Sequence, residues 1–444
     1  MSATLNEPSR TTPVIHEADI CVIGGSCTGV FAAVRAARLG ASVVIIEKQN
    51  AFGGVATQGL VNIWHSLKDT EYKRDIIAGL TREVIERLRK RDAVVSHDDN
   101  PNSAYLLNTE ELKIELDELI TENRITPMLH TSFALPFRKD NRIEAAIVEN
   151  KSGRGAVRAK FFIDATGDGD AAARLDLPFT LKTHVQPPTT CAKILGTEGI
   201  DIAGLIGKHR EEYDLPDDWG WNAAVVGLPG GKMHAETHVF DVDCSNAEDL
   251  TRAEMEGRRH VRAYMDIIRK YAGKKPVLAD IASYIGIRET RHVHGTYRIT
   301  EEDVLTGRAF PDAIAFGSYR VDVHHEDRPG ITFRYLNGNE NIFEKGKGWT
   351  NGRWRPETAS DPTAYQIPYR TMLQDTIPNL IVAGRAIDAD TGSYGAVRVM
   401  VNMNQTGEAA GVAAYLALNG NKTFTGVDPA ALRSAMEQGG SIML

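Results

Sequence analysis

A glycine-rich turn near the start of the chain has the residue spacing that binds the pyrophosphate of a dinucleotide. Gly24 permits a sharp turn, and Gly29 lets the following helix lie close to the preceding strand. The helix N-terminus then offers unpaired N–H groups to a phosphate. Glu47 follows about 20 residues later, where a carboxylate accepts hydrogen bonds from a ribose. The predicted phosphate-binding residues are Gly24, Gly25, Ser26, Cys27, Thr28 and Gly29.

Ser26 departs from the G-x-G-x-x-G pattern, because it stands where the second glycine is expected. It adds a Cβ where the backbone approaches the pyrophosphate, and its hydroxyl can donate to a phosphate oxygen instead. The helix N-terminus is also expected to lower the pKa of Cys27, although this residue is interpreted as a small filler.

The elements around the turn must be a strand, a helix and a second strand. Apolar runs predict strands at 19–23 and 42–46. Small and apolar residues between them recur with helical spacing on one face, at Val30, Ala33, Val34 and Ala37. The sequence therefore predicts a βαβ unit with a dinucleotide site, against the alternative of a purely structural turn. A second glycine pattern at 167–172 has no strand-ending acid after it and is not predicted to bind a nucleotide.

Composition excludes several classes of partner. The chain has 444 residues and a net charge of −8, which gives no reason to expect nucleic acid or an anionic membrane. No apolar run approaches 18 residues, so no membrane span is predicted. The four cysteines are widely spaced without a C-x-x-C pair, which favours a reducing, cytoplasmic location and argues against a dithiol centre.

Along the chain, changes of period predict a first domain interrupted by a second. Helices are predicted at 72–92, at 109–122 after the cap Asn108, and at 247–271. An antiparallel meander is predicted at 125–164. The predicted divisions are a flexible tail at 1–17, the first part of the nucleotide domain at 18–175 with a helical insertion at about 66–124, a substrate or cap domain at 176–355, the second part of the nucleotide domain at 356–420, and a C-terminal tail at 421–444.

Four separated stretches resemble one family of proteins: Val22–Glu47, Gly53–Asn62, Phe161–Ala171 and Leu380–Ala413. They resemble the FAD-dependent oxidoreductases of the glutathione-reductase structural superfamily, and in particular flavoproteins related to succinate dehydrogenase and fumarate reductase. The resemblance implies an α/β fold. Its FAD-binding domain is Rossmann-like, a parallel sheet with an antiparallel β-meander, and it carries an inserted mixed α+β substrate domain.

The resemblance also implies the residues that hold FAD. The Gly53–Gly54 loop lies against the flavin, the strand at Phe133 meets the adenine, and Gly384 approaches the ribityl chain. Residues 52–55, directly before Ala56, include no histidine, so the flavin is expected to be noncovalent. Besides the phosphate-binding turn, the expected cofactor contacts are Glu47, Lys48, Gly53, Gly54, Ala56, Thr57, Phe133, Ala165, Thr166, Gly167, Gly384, Arg385, Asp388, Asn402 and Met403.

The expected substrate residues are Arg398, Tyr394, Arg288 and His65. Fumarate-reductase-like proteins carry His-Gly-Ala-x-Arg where this chain has Tyr394 to Arg398, so the arginine matches and the histidine does not. Arg288 and Arg291 point to opposite faces if they lie in a strand, and Arg288 is chosen as the one that reaches the site. Each of these has a plain alternative as an ion-paired, packed or surface side chain.

No metal site is predicted, because the histidine pairs 292/294 and 324/325 lack a third ligand at useful spacing. The expected function is hydride transfer between flavin N5 and a small polar substrate, a carboxylate or a sugar-like compound. The alternatives are a flavoprotein oxidase, an electron-transfer subunit, and a flavin-binding protein without catalysis. A homo-oligomer or an electron-acceptor protein is the expected partner.

Overall fold

The computed structural model describes residues 4–97, 100, 104–218, 220–326, 328–344 and 346–444. Within these residues the helices are α1 (Cys27–Arg38), α2 (Gly79–Arg89), α3 (Thr109–Glu122), α4 (Asp170–Ala173), α5 (Ile202–His209), α6 (Ala247–Tyr271), α7 (Glu301–Leu305), α8 (Thr391–Val397), α9 (Met400–Gly420) and α10 (Pro429–Gln438). The strands are β1 (Val14–Ile23), β2 (Val43–Ile46), β3 (Ile63–Trp64), β4 (Val94–Ser96), β5 (Tyr105–Leu107), β6 (Thr126–Met128), β7 (Ser132–Lys139), β8 (Arg142–Asn150), β9 (Gly153–Asp164), β10 (Phe179–Thr180), β11 (Ala192–Leu195), β12 (Trp221–Ala224), β13 (Lys232–Ala235), β14 (Val277–Ile281), β15 (His292–Val293), β16 (Ala313–Gly317), β17 (Val321–His324), β18 (Gly330–Arg334), β19 (Asn339–Glu344), β20 (Gly348–Arg353), β21 (Tyr365–Pro368) and β22 (Leu380–Val382).

The central sheet runs in the order β6-β2-β1-β9-β8-β7, and β22 also pairs with β9. Strands β6, β2, β1, β9 and β22 are parallel to one another. Strands β7, β8 and β9 form an antiparallel meander. The fold is therefore α/β, with a Rossmann-like parallel sheet and additional antiparallel sheets, as the sequence predicts.

The register of this sheet brings the carboxyl ends of its strands together. Ile23 lies opposite Ile46 on one side and opposite Asp164 on the other, and Asp164 lies opposite Val382. Ligands of open parallel sheets bind beyond this edge. Segments that are far apart in the chain therefore deliver their loops to one place.

Helices α1 and α9 pack against each other at unusually close range. A Cβ at Gly407 would lie 2.1 Å from the carbonyl oxygen of Thr28, and one at Gly411 would lie 2.1 Å from that of Ala32. Between the two helices, the Arg35 guanidinium donates from Nε to the Glu408 carboxylate at 2.7 Å, and both side chains are buried. This contact fixes α9 beside the glycine turn.

The remaining sheets are antiparallel and lie mainly between 176 and 382. One has the order β12-β13-β11-β14 and packs against α5 and α6. Another has the order β17-β18-β19-β20. Apolar residues between Ile299 and Leu336 join the same core as β1 and α1. The predicted limits of the substrate domain therefore stay a prediction.

Both predicted tails contain regular structure. Strand β1 begins at Val14, which pairs with Ala156, so residues 14–17 belong to the sheet; residues 1–3 lie outside the described part of the chain. In the 421–444 segment, α10 buries Leu432 and Met436. The C-terminal segment is thus packed on the core and is not a tail.

The predicted helices at 109–122 and 247–271 are confirmed with the predicted bounds. The Asn108 side chain accepts hydrogen bonds from two N–H groups of the first turn of α3, as expected of a cap. The helix predicted at 72–92 is shorter, because the N–H groups of Ile76 and Ile77 donate to the Leu67 carbonyl oxygen in a loop.

Candidate active site

The turn between β1 and α1 has a shape that requires glycine. Gly24 has a φ of +100°, and a Cβ there would lie 2.5 Å from the carbonyl oxygen of Ala165. A Cβ at Gly29 would lie 1.9 Å from the carbonyl oxygen of Gly24. Ser26 is the N-cap of α1, and its Oγ accepts a hydrogen bond from the Gly29 N–H at 3.4 Å. The residue that departs from the motif therefore stabilises the helix N-terminus.

Glu47 lies just beyond the end of β2 and holds the turn in place. Its Oε2 accepts a hydrogen bond from the Gly25 N–H at 2.6 Å, and its Oε1 accepts one from the Gln49 N–H at 2.8 Å. A carboxylate oxygen can accept more than one hydrogen bond. Glu47 can therefore keep these bonds and still accept one from a ribose hydroxyl.

A cavity of about 120 Å³, here called the cofactor groove, runs between the loops that follow β1, β2, β9 and β22. The predicted cofactor residues that line it are Gly24, Ser26, Cys27, Thr28, Glu47, Lys48, Gly53, Gly54, Ala165, Thr166, Gly167, Gly384, Arg385 and Met403. A neighbouring cavity of about 200 Å³ is lined by Phe133 and shares Gly24, Glu47, Lys48 and Thr166 with the groove. The structure thus brings most of these distant positions together.

Besides Gly25, Gly29 and Phe133, four predicted cofactor residues do not line the groove: Ala56, Thr57, Asp388 and Asn402. Thr57 Oγ1 donates to the Phe52 carbonyl oxygen at 2.7 Å, and Ala56 is fully buried beside it. Asp388 accepts a hydrogen bond from the Gly295 N–H at 3.0 Å. Asn402 Nδ2 donates to the Tyr365 hydroxyl at 2.9 Å. Residues that the sequence did not indicate line the groove instead, among them Val55, Gln58, Met400 and Asn404.

The Gly25 and Gly29 side of the turn contributes only backbone, and neither residue lines the groove. Cys27 does line it, but its thiol lies 3.6 Å from the Gly53 carbonyl oxygen. Burial raises the pKa of Cys27 to about 12. The expectation of a lowered pKa is wrong, because desolvation of the thiolate outweighs the field of the helix.

A larger cavity of about 340 Å³ opens into the groove, and we call it the arginine cavity. The two cavities share Val55, Ile287, Arg385, Arg398 and Met400. Helix α9 begins at this junction, and its N-cap Val399 offers no side-chain hydrogen bond. The charged or titratable residues that line the arginine cavity are Arg288, Arg320, Arg385, Arg398, Asp322, His65, His324 and Tyr319.

Arg398 is held by one carboxylate. Its Nη2 lies 3.3 Å from Asp322 Oδ1, and its Nε is buried without a hydrogen-bond partner among the described residues. Asp322 also accepts a hydrogen bond from the Tyr319 hydroxyl at 2.5 Å. Burial would raise the pKa of Asp322, but the charges of Arg398 and Arg320 outweigh it and lower that pKa. Asp322 is therefore an anion at neutral pH.

Arg288 lines the cavity and Arg291 does not, although neither lies in a strand, so the strand alternation assumed for them is not what separates them. Arg288 Nη1 donates to the Pro187 carbonyl oxygen, and burial followed by the charge of Arg398 lowers its pKa to about 10. It therefore keeps its charge at pH 7. Arg291 donates instead to the carbonyl oxygens of Asp168 and Ser245.

Tyr394 lines neither cavity. Its hydroxyl donates to the Arg288 carbonyl oxygen at 2.6 Å, and its ring packs edge-on against His292. Burial raises its pKa to about 12. This placement uses the hydroxyl to hold the Arg288 backbone, which does not favour the predicted contact with substrate.

A buried carboxylate lies behind this region. Glu289 accepts hydrogen bonds from Lys182 Nζ at 2.8 Å and from the Gln186 N–H at 2.9 Å, and its Oε1 lies 2.9 Å from His292 Nε2. Burial would raise the pKa of Glu289, but the hydrogen bond of His292 and the charge of Lys182 outweigh it and lower that pKa to about 2.

His65 lines the arginine cavity and stacks on Tyr319 with 4.0 Å between ring centroids. Both also border a further cavity of about 610 Å³. His324 and Asp322 were not predicted as site residues. They are two apart on β17, and this alternation places both on one face of the strand. That spacing is the only local signal that could have linked them.

Residues 19–436 of the chain match the family model described as "FAD dependent oxidoreductase". The chain belongs to this family. It is therefore an FAD-dependent oxidoreductase, and FAD is its cofactor. The mitochondrial dihydrolipoyl dehydrogenase of Schizosaccharomyces pombe is 31% identical over 87 residues, which amount to 17% of this chain and 17% of that protein.

Two solved structures align with most of this chain at low sequence identity. A geranylgeranyl bacteriochlorophyll reductase-like protein of Thermoplasma acidophilum is 11% identical, with a TM-score of 0.47 over 95% of this chain and 83% of that one. The p-nitrophenol 4-monooxygenase PnpA of Pseudomonas putida is 11% identical, with a TM-score of 0.44 over 96% of this chain and 81% of that one.

The residues of the groove fit FAD in this FAD-dependent oxidoreductase. Besides Arg398 Nε at the junction with the arginine cavity, three buried polar atoms on the groove have no hydrogen-bond partner in the described part of the chain: Gln58 Nε2, Arg385 Nη1 and Asn404 Oδ1. Buried polar atoms are rarely left unpaired in native proteins. A flavin offers both donors and acceptors at its pyrimidine edge, so a bound FAD can satisfy atoms of this kind.

Among the described residues, no helix is long and apolar enough to cross a membrane. No group of three or more His, Cys, Asp or Glu side chains within the described ranges could hold a metal ion.

Proposed function

We infer that this FAD-dependent oxidoreductase acts on a small carboxylate, such as a hydroxy acid or a sugar acid, bound in the arginine cavity. One observation carries the proposal. Arg288 and Arg398 line this cavity with one facing carboxylate, Asp322, whereas Arg385 there is already paired with Asp168 at 2.9 Å. Burying unbalanced cations is costly unless an anion joins them. A neutral sugar would leave this positive charge unmatched.

Arg398 and Arg288 are the proposed carboxylate-binding residues. Arg398 has a buried Nε without a partner and only a long contact to Asp322, so it has donors left for a ligand. A guanidinium binds a carboxylate through two parallel hydrogen bonds, which orient as well as attract it. FAD, when bound, supplies the hydride acceptor or donor at N5. Arg385, which lines both cavities, would stand between cofactor and substrate.

Further features support this assignment. In fumarate-reductase-like flavoproteins an arginine at the position of Arg398 grips a substrate carboxylate, and the proposal extends that role to this chain. Residues 176–355 supply β17 and the Arg288 segment, which supports their assignment as a substrate domain. The 52–55 loop carries no histidine, which supports noncovalent FAD. A cytoplasmic location, a homo-oligomer and an electron-acceptor protein stay predictions.

The test is to measure anaerobic reduction of the bound FAD through its absorbance. Glycolate, lactate, malate and gluconate are compared with glucose and with neutral glycolamide, which keeps the hydroxyl of glycolate and lacks its charge. We expect at least one hydroxy acid to reduce FAD, and added salt to weaken its binding, since ions screen the arginines. Reduction by glucose or glycolamide without reduction by the acids would reject the proposal. Reoxidation by air separates an oxidase from a dehydrogenase.

A further inference from the structure

His324 lies in the arginine cavity close to both proposed carboxylate-binding arginines. Its Nε2 is 3.5 Å from Asp322 Oδ1, and its ring is buried. The charges of Arg288 and Arg398 both act on it. Its backbone is fixed by strand β17 and by a hydrogen bond to Gln186 Oε1 at 3.2 Å. The imidazole therefore stands where a bound anion would be held.

A buried carboxylate–histidine pair packs behind His324. His238 Nδ1 lies 2.6 Å from Asp218 Oδ2, and the His238 backbone N–H donates to the same oxygen at 2.8 Å. A carboxylate only accepts, so Nδ1 carries the proton and Nε2 of a neutral ring carries a lone pair. That Nε2 is buried without a hydrogen-bond partner among the described residues. The rings of His238 and His324 are 4.5 Å apart between centroids.

The charges around His324 keep it neutral at pH 7. Burial, followed by the charge of Arg288, holds the pKa of His324 well below its usual value. Arg398 and His325 act in the same direction, and Asp322 is the carboxylate that faces it. A neutral imidazole can accept a proton. An anion bound between the arginines offsets their charge, so its arrival makes protonation of His324 easier.

We propose that His324 accepts the proton that the substrate loses when it is oxidised, and that His238 and Asp218 position it. This inference rests on the proposed function. In a hydroxy acid the C–H bond breaks, and its hydrogen leaves with both bonding electrons as a hydride to the cofactor. The O–H bond breaks, its electrons form the second bond of the new C=O group, and its proton goes to His324. In the opposite direction His324 gives the proton back.

The two residues expected from the sequence to handle the proton are less well placed. The Tyr394 hydroxyl is committed to the Arg288 carbonyl oxygen and lines neither cavity. His65 stacks on Tyr319 and also borders the next cavity. His324 has the contact with Asp322 and the supporting pair behind it.

The first experiment needs no substrate. The FAD-loaded protein with isotope-labelled histidine is titrated by NMR with and without malonate, and the His324 signal is assigned with His324→Gln. We expect malonate to raise the titration midpoint of His324 by about one pH unit. The signal of His16, on β1 far from the cavity, is the internal control. A His324 midpoint that does not move with malonate would overturn the proposal.

The second experiment measures anaerobic FAD reduction by the hydroxy acids against pH. His324→Gln should slow reduction by about 10²- to 10⁴-fold and abolish the acid limb of the pH profile, with KM nearly unchanged. His16→Gln should match the wild type. His238→Gln should lower the rate less than His324→Gln does, again with KM unchanged. If His238→Gln instead loses FAD, the residue has a structural role and the positioning claim is overturned.

The outcomes separate this inference from the proposed function. If no hydroxy acid reduces FAD while malonate still moves the His324 midpoint, the proposed substrate class fails and the anion-linked histidine stands. If a hydroxy acid reduces FAD and His324→Gln leaves rate and pH profile unchanged, the proposed function stands and the role of His324 is refuted.

Discussion

Replacing Arg398 with glutamine tests the charge argument most directly. The guanidinium has an unpaired buried Nε and only 3.3–3.4 Å contacts to Asp322, so most of its hydrogen-bonding capacity is available to a ligand. A hydrogen bond to a charged group contributes about 1.5–3 kcal/mol. Losing that contribution weakens binding by about 10- to 100-fold, at 1.4 kcal/mol for each factor of ten. Arg398→Gln should therefore raise the dissociation constant of malonate by this factor.

The assay is the change in the visible spectrum of bound FAD as malonate is added. Arg291→Gln is the matched control, because it removes the same charge three residues from Arg288 and outside the cavity. We expect Arg291→Gln to change the malonate constant less than twofold, because its guanidinium does not line the cavity and donates to backbone carbonyl oxygens instead. The reasoning is refuted if Arg398→Gln binds malonate like the wild type, or if both variants lose the same affinity.

Four other variants test separate parts of the structure. The ionised Glu289 side chain stabilises the folded protein above pH 4.5, and this stabilisation is lost as the pH falls towards its folded pKa of about 2. Between these pH values the free energy of unfolding in urea should therefore fall by about 3 kcal/mol less in Glu289→Gln than in the wild type. Glu408→Ala leaves the Arg35 charge buried and should cost about 3–5 kcal/mol in guanidinium unfolding, most of it recovered when Arg35 is also replaced by methionine. Gly29→Ala must displace the turn and should lower the FAD content of the purified protein, read as the 450/280 nm absorbance ratio. Tyr394→Phe should keep turnover within about tenfold, whereas loss of an acid–base residue costs about 10²–10⁴.

The parts of the fold that local chemistry determines could be predicted from the sequence. The glycine turn, Glu47 and helices α3 and α6 are specified by residues within one turn or one helix, such as the cap Asn108. Cofactor positions that act through backbone, such as Gly53 and Gly384, also lie on the groove. These features depend on spacing along the chain, which the sequence displays.

The side chains of the arginine cavity depend on packing that the sequence does not display. Asp322 and His324 reach it because β17 packs tightly against α8, where a Cβ at Gly395 would lie 2.7 Å from the Asp322 carbonyl oxygen. Thr57 and Asn402 leave the groove because internal hydrogen bonds claim their side chains. These side-chain positions depend on contacts between distant segments, so no local sequence pattern predicts them.

The pairing of β22 with β9, beside β1, also has a consequence for how the protein is made. Residues 380–382 and helix α9 complete an edge whose first loop was synthesised more than 300 residues earlier. Domains fold as units while the ribosome extends the chain at about 5–20 residues per second. The nascent chain therefore cannot close the groove around a flavin until α9 has emerged, and loading with FAD must follow synthesis of the segment that ends at Gly420.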